Sequence, residues 1–238
     1  MKQSELVSRT ENYVREVMAQ QEGTLTIAHD FKHVDRVRNL ALIIADGEEF
    51  PDLEIVEVTA LLHDVGLSQI KHGNEKKGHV VLPPHGPLGA EIASRFLRDN
   101  SDLSNETVEL IIDVIRHHSD SPLKIAKHLQ TLGDKGKLTK IIRDADATDA
   151  MGAVGIMRAF TSKHFLPEYD PINIKGSNWG LASGFHPVNN IIDQINQQIR
   201  YYDNLHTRTA KLLAEPLIHF MKDFMIQLER EIDCRKMP

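Results

Sequence analysis

Apolar residues recur at three- and four-residue spacing along most of the chain, a pattern typical of amphipathic α-helices. In the first half they predict five helices, whose apolar positions are Leu6/Tyr13/Val14/Val17, Val34/Val37/Leu40/Ala41, Leu53 to Val65, Leu88/Ile92/Ala93/Phe96 and Val108/Ile111/Ile112/Ile115. A short sixth helix is predicted to begin at Ser121-Pro122, and a further stretch runs from Leu138 to about Phe160. No convincing run alternates with the period of two that half-buried strands show. The pattern therefore predicts an all-α fold.

Two segments interrupt this helical pattern. Residues 68–87 are rich in Gly, Lys, His and Pro, and residues 165–188 contain three prolines and three glycines. Loops of this length are uncommon unless they are functional, so we expect the first to cover a site and the second to form a lid. Residues 189–233 return to helical spacing, where Pro216 is expected to kink or split the helix.

The overall composition is that of a soluble globular protein, with 41% hydrophobic and 26% charged residues. At this length we expect one domain over residues 1–238, with a core at about 25–165 and a lid loop with C-terminal helices at about 166–233. The net charge of −6 argues against a nucleic-acid-binding surface. A phosphorylated substrate would need cations or a metal to offset the repulsion.

The cellular compartment is suggested by what the sequence lacks. Cys234 is the single cysteine, so no disulfide can form within one chain. The polar N-terminus has no apolar signal core, and no stretch reaches the roughly 18 apolar residues of a membrane span. We expect a cytoplasmic protein, and the sequence leaves monomer and homodimer equally open.

One ionisable pair lies at the end of an otherwise apolar helix. The run from Leu53 to Val65 carries His63-Asp64, and Gly66 after it is expected to act as a left-handed helix cap. Burying adjacent ionisable side chains is costly unless they are paired or bind a metal. Imidazole and carboxylate are both metal ligands, so the pair indicates a metal site.

Two further ligands must then come from other helices. His33 precedes the pair in the first turn of the second helix, and an acidic cluster that includes Asp146 follows it. A helical bundle can bring such ligands together on facing helices. Two imidazoles and two carboxylates without a thiolate favour octahedral Mn, Fe, Mg, Co or Ni over structural zinc.

The ordered set His33, His63-Asp64 and Asp146 resembles the HD superfamily of metal-dependent phosphohydrolases, in particular a branch of small bacterial and archaeal hydrolases. The similarity covers roughly residues 25–230. The motifs that carry it are His-Val-Asp-Arg-Val (33–37), Ala-Leu-Leu-His-Asp-Val-Gly (60–66), His-Gly-Pro-Leu-Gly-Ala-Glu-Ile-Ala (85–93), Ile-Arg-His-His-Ser (115–119), Asp-Ala-Asp-Ala-Thr-Asp-Ala-Met-Gly-Ala-Val-Gly-Ile (144–156) and the C-terminal Thr-Ala-Lys-Leu-Leu-Ala-Glu (209–215).

The resemblance implies an all-α HD-domain bundle and adds two histidines to the site. His85 and His118 match positions that hold a second metal in some HD families, and with one metal they would face the substrate phosphate instead. It implies hydrolysis of a phosphate ester or anhydride by metal-activated water, with a nucleotide as the first candidate substrate. Asp64, His85 and His118 would be catalytic, and one metal ion is expected, with two possible.

Several interpretations remain open at this point. Lys71, Lys76 and Arg143 are candidates for contacts with substrate phosphates. His29 is expected to be a surface residue or to lie behind the ligands, and His117 to be a neighbour of His118 without a ligand role. Two other functions compete with hydrolysis: an HD-type di-iron oxygenase, and a nucleotide-binding sensor without catalysis.

Overall fold

The computed structural model describes residues 4–20, 28–70, 85–178 and 186–233, and within them it contains helices and no β-strand. This confirms the predicted all-α fold. The α-helices are α1 (Glu5–Ala19), α2 (Phe31–Gly47), α3 (Leu53–Leu62), α4 (His85–Asn100), α5 (Asn105–His117), α6 (Pro122–Leu132), α7 (Lys137–Asp149), α8 (Gly152–Ser162), α9 (Ile191–Arg200) and α10 (Arg208–Ile232). Short 3₁₀ turns lie at Val65–Gln69, Gly133–Gly136 and Tyr201–Asn204. No helix in these described ranges has the length and hydrophobicity needed to span a membrane.

The chain divides into two compact units, Met1–Asp146 and Ala147–Pro238, and the boundary falls within α7. The expected single domain over residues 1–238 stays a prediction.

Helix α3 is the buried centre of the first unit. Its residues from Val56 to Leu62 are buried with the exception of Glu57, and α1, α2 and α5 pack around it. Asp52 caps its N-terminus by accepting a hydrogen bond from the backbone N–H of Ile55 at 3.1 Å. The last turns of the helix, Val58 to Leu62, are buried on every side, so the residues that follow lie in the core.

The turn after α3 differs from the sequence expectation. Helix α3 ends at Leu62, and the chain continues into the 3₁₀ turn Val65–Gln69. Gly66 has no positive φ angle, so the predicted left-handed cap is wrong. The glycine is required for a different reason: a Cβ at this position would lie 2.1 Å from the carbonyl oxygen of His85. The missing side chain lets the start of α4 pack directly on the turn.

The two predicted loops are only partly described. Of residues 68–87, the last three form the first turn of α4, and residues 71–84 lie outside the described ranges. Helix α4 was expected to begin behind Pro87, but it begins at His85; proline is tolerated in a first turn because the N–H groups there lack helical acceptors. Residues 165–178 form turns, as predicted for a loop, with one isolated bridge between Asp170 and Asn173.

The second unit contains α8, α9 and α10, with α10 packed on the other two. Pro216 lies inside α10, which is continuous from Arg208 to Ile232, so the helix is not split at this residue. Loss of one backbone hydrogen bond is offset by burial of apolar side chains on the same helix, including Ile218 and Met221.

Candidate metal centre

The carboxylate of Asp64 lies at the centre of a group of imidazoles in the first unit. Its Oδ1 atom is 3.3 Å from Nε2 of His85 and 3.3 Å from Nε2 of His118. Its Oδ2 atom is 3.4 Å from Nε2 of His33 and 3.5 Å from Nε2 of His63. The side chain of Asp64 is only 4% exposed. The two carboxylate oxygens therefore face different histidines.

Backbone hydrogen bonds orient two of these rings. Nδ1 of His63 lies 2.7 Å from the carbonyl oxygen of Ala60, and Nδ1 of His118 lies 2.6 Å from that of Ile115. A carbonyl oxygen only accepts, so each Nδ1 carries a proton and each Nε2 faces the centre, where the neutral ring offers a lone pair. Nε2 of His63 is buried and makes no hydrogen bond to any described residue. A buried nitrogen of this kind fits a metal ion, which would take the place of the proton that the neighbouring carboxylates otherwise favour there.

Asp146, on α7, adds a second carboxylate to the centre. Its Oδ1 atom is 3.5 Å from Nε2 of His33, and its side chain is 32% exposed. Ligand atoms of His33, His63 and Asp146 lie within 4.8 Å of one another. The donors are imidazole nitrogens and carboxylate oxygens, which suit a divalent ion.

A second group of possible metal ligands lies at the other oxygen of Asp64. Ligand atoms of Asp64, His85 and His118 also lie within 4.8 Å of one another, and the two Nε2 atoms of the histidines are 3.1 Å apart. Since Nε2 of His118 bears a lone pair, the proton between the rings belongs to His85. The structure thus brings together all six residues that the sequence placed in the site.

The family model for the HD domain matches residues 30–151 of this chain, a range that contains all six of these residues. The chain belongs to the HD-domain family.

Individual proteins are also similar to this chain. The uncharacterized protein YpgQ of Bacillus subtilis is 29% identical, with 98% of this chain and 96% of YpgQ covered. The crystal structure of YpgQ in complex with ADP matches with a TM-score of 0.61 and 26% identity, covering 95% and 94% of the two chains. An HD-superfamily hydrolase of Bacillus thuringiensis, 21% identical with a TM-score of 0.64 over 95% and 96% of the chains, shares the fold.

Burial and charge compete at the centre of the HD domain. Burial alone would lower the pKa of His63, but the carboxylates of Asp64 and Asp146 outweigh it and raise that pKa to about 9. Burial would raise the pKa of Asp64, but His63 and hydrogen bonds from neighbouring imidazoles hold it well below its usual value. The six residues around and including Asp64 (His33, His63, Asp64, His85, His118 and Asp146) form the HD centre. The HD centre thus favours an ionised carboxylate surrounded by proton-binding or metal-binding nitrogens.

The paired histidines of the HD domain differ in their protonation. Burial lowers the pKa of His118 in spite of the neighbouring carboxylate. For His85, which is 12% exposed, hydrogen bonding and attraction to Asp64 exceed the effect of burial and raise the pKa. These directions agree with the donor and acceptor roles that the ring contacts require.

His29 also contacts Asp64, although it is not one of the six residues that the sequence placed in the site. Its Nδ1 atom is 3.1 Å from Oδ2 of Asp64, and its side chain is 24% exposed. The sequence signal was its position four residues before His33, and the rings of the two residues are 5.3 Å apart between centroids. Of the two expectations for His29, a position behind the ligands fits this contact better than a position on the surface.

Of the three candidate substrate-binding residues, Arg143 is the one that lies within the described ranges. The guanidinium of Arg143 donates hydrogen bonds to the backbone carbonyls of His117 at 3.0 Å, of His118, and of Asp120 at 2.9 Å. These bonds favour a role in holding the turn that carries His118, and the contact of Arg143 with substrate stays a prediction. Lys71 and Lys76 lie outside the described residues.

Proposed function

We propose that this HD domain is a metal-dependent phosphohydrolase that cleaves a phosphate ester or anhydride of a nucleotide. The observation that carries the proposal is the arrangement around Asp64, where two groups of imidazole and carboxylate ligands share one carboxylate. Membership of the HD family and the presence of ADP in the crystal structure of YpgQ support the same reaction class.

The ligand groups suggest two ion positions. His33, His63, Asp64 and Asp146 would hold the first ion, and Asp64, His85 and His118 would hold a second or face the phosphate. Nitrogen and oxygen donors without thiolate suit Mn, Mg, Fe, Co or Ni. Such an ion, when bound, lowers the pKa of water and polarises a phosphoryl oxygen.

The chain's own residues supply the proton handling. The ionised carboxylate of Asp64 accepts a hydrogen bond from the attacking water and orients it. The Nε2–H group of His85 faces Nε2 of His118 in the structure, and it would turn to donate to the leaving oxygen as negative charge develops there. His118, with its proton on Nδ1, offers only a lone pair at Nε2 and therefore serves as a ligand rather than as an acid.

A nucleotide fits the charges of the site. The chain carries a net charge of −6, so a polyphosphate is attracted only where positive groups are concentrated. The cluster of imidazoles with bound cations provides such a place. A nucleoside or deoxynucleoside triphosphate is therefore the first substrate to test, with diphosphates next.

The experiment is a phosphate-release screen of the full chain over nucleotides with Mn, Mg, Co and Ni, combined with metal analysis. We expect Asp64→Ala and Asp64→Asn to lose bound metal and turnover while circular dichroism shows a retained helical fold. The exposed Asp102→Ala serves as the control and should match the wild type. Normal hydrolysis by Asp64→Ala would refute the mechanism, and nucleotide binding without turnover with every metal would favour the sensor.

A di-iron oxygenase is the second candidate, because Asp64 presents one oxygen to each ligand group and so can bridge two ions. Bound iron with an oxygen-dependent visible absorption band would support it. Colourless protein that hydrolyses nucleotides with Mn would exclude it.

A further inference from the structure

A second cluster of histidine and aspartate lies in the first unit, away from Asp64. Asp113 and His117 are four residues apart on α5, so they share one face of that helix. His128 comes from α6. Ligand atoms of these three residues lie within 4.8 Å of one another. None of the three belongs to the HD centre.

The distances within this cluster suit an ion between the side chains. Nε2 of His128 is 2.8 Å from Oδ2 of Asp113, and Nε2 of His117 is 3.8 Å from Oδ1 of the same residue. Donor atoms around a tetrahedral zinc ion lie roughly 3.3 Å apart, because each is about 2.0–2.1 Å from the metal. The 2.8 Å contact is a hydrogen bond, so an ion would take the place of its proton, and the side chains would rotate to bring the donor atoms to this spacing.

A further carboxylate orients His117 for such a role. Nδ1 of His117 lies 2.6 Å from Oδ2 of Asp120, whose Oδ1 accepts a hydrogen bond from Lys124 at 2.7 Å. This contact places the His117 proton on Nδ1 and the lone pair on Nε2, towards Asp113. An imidazole that donates its second N–H to a carboxylate is the usual arrangement of a metal-binding histidine.

The exposure of the cluster also fits an accessible ion site. The side chains of His117, His128 and Asp113 are 20%, 19% and 31% exposed, so an ion can enter from solvent and keep a water ligand. The rings of His117 and His128 stack at 4.0 Å between centroids beside the same carboxylate, so one ring must turn for both Nε2 lone pairs to reach one ion. Two imidazoles and one carboxylate with an open position match zinc.

We propose that Asp113, His117 and His128 form a zinc site that joins α5 to α6, separate from the HD centre. Its occupation would fix the end of α5. Arg143 holds the carbonyls of His117 and His118 at that end, so the zinc ion would stiffen the support of one HD-centre residue. The thermal midpoint of unfolding would then rise with zinc concentration.

The test is equilibrium dialysis of the chelator-treated full chain against Zn²⁺, followed by elemental analysis. Asp113→Asn and His128→Gln should each bind one zinc ion per chain fewer than the wild type. Asp120→Asn, which removes only the orienting carboxylate, should weaken that ion by about 10- to 100-fold. His219→Gln on α10 is the exposed control and should bind as the wild type does.

The same variants in an Asp64→Asn background separate this site from the HD centre. There the His128→Gln substitution should still remove one zinc ion, whether or not the chain is a phosphohydrolase. Retained circular dichroism in His128→Gln establishes that its fold is intact. Equal zinc content of the wild type, Asp113→Asn and His128→Gln at the same free zinc concentration would overturn the proposal.

Discussion

The backbone of Gly66 approaches the carbonyl oxygen of His85 so closely that a Cβ on residue 66 would lie 2.1 Å from it and 2.5 Å from the backbone nitrogen of Gly89. Residue 66 follows Asp64 by two positions, and His85 begins α4. The close approach therefore sets the distance between two residues of the HD centre. Both neighbouring groups are backbone, so neither can rotate away from an added methyl group.

Gly66→Ala should displace α4 from the turn after α3 and move His85 away from Asp64. We expect the free energy of unfolding to fall by about 1–3 kcal/mol, as for other overpacked interiors, and Mn affinity to fall with it. Urea unfolding and Mn titration measure the two effects.

The matched control is Gly133→Ala, in the turn before α7. Gly133 has a φ angle of +55° and open space around its Cβ position, so alanine is strained there without a clash. A stability loss of about 1 kcal/mol is expected, with no change in Mn affinity. If Gly66→Ala kept wild-type Mn affinity, the close approach would not be what positions His85.

Arg143→Lys distinguishes support of the His118 turn from contact with substrate. Lysine cannot donate to three carbonyls at once, so stability should fall by about 1–3 kcal/mol. Displacement of His118 should lower kcat roughly ten- to a hundredfold and leave KM unchanged. Steady-state kinetics on the nucleotide from the screen give both constants. A rise in KM alone would instead indicate a direct contact between Arg143 and a phosphate.

The raised pKa of His63 predicts how stability depends on pH once metal has been removed by a chelator. The folded-state pKa of about 9 lies above the usual 6.5, so the stabilisation is fully present below pH 6.5 and is lost as pH rises through about 9. The loss is on the order of 3 kcal/mol. Urea unfolding at about pH 6 and pH 9.5 measures it, and His63→Gln should show a much smaller change over the same interval. An equal change in both proteins would assign the effect to other groups.

In the second unit, Asp193 is fully buried and ties the residues before α9 to that helix. It accepts hydrogen bonds from the backbone N–H of Ser177 at 2.7 Å and of Asn189 at 2.9 Å. Asp193→Asn exchanges one accepting oxygen for a donor, so a buried N–H loses its partner and stability should fall by about 1–3 kcal/mol. Urea unfolding checks this, with the exposed Asp203→Asn as control. Equal midpoints for the two variants would contradict the anchoring role.

The helices could be predicted well because their signal is local. The apolar spacing of α2, α3 and α5 is visible within a window of a few turns, and the serine before α5 and the aspartate before α3 mark their starts. Gly66 was misjudged because a glycine after a helix usually serves as a cap. Its actual reason is a contact with His85, 19 residues further along the chain, which no local pattern contains.

For the HD centre, too, some features could be predicted from the sequence and others could not. The order of His33, His63-Asp64 and Asp146 in the sequence indicated a metal site and a family, because ligand types and spacing are properties of the chain itself. The placement of different histidines at the two oxygens of Asp64 required the packing of α2 and α5 on α3 and of α4 on the turn that follows it. The same holds for Arg143, whose charge suggested a phosphate contact and whose guanidinium lies on three carbonyls.

The sequence alone thus determined the helical class and the HD family and predicted the six residues that the structure brings together, since periodicity and ordered motifs are properties of the chain itself. The tertiary structure decided which side chains meet, including His29 at Asp64 and His128 at Asp113. Those contacts join residues 35 and 15 positions apart, and their distances depend on how whole helices pack.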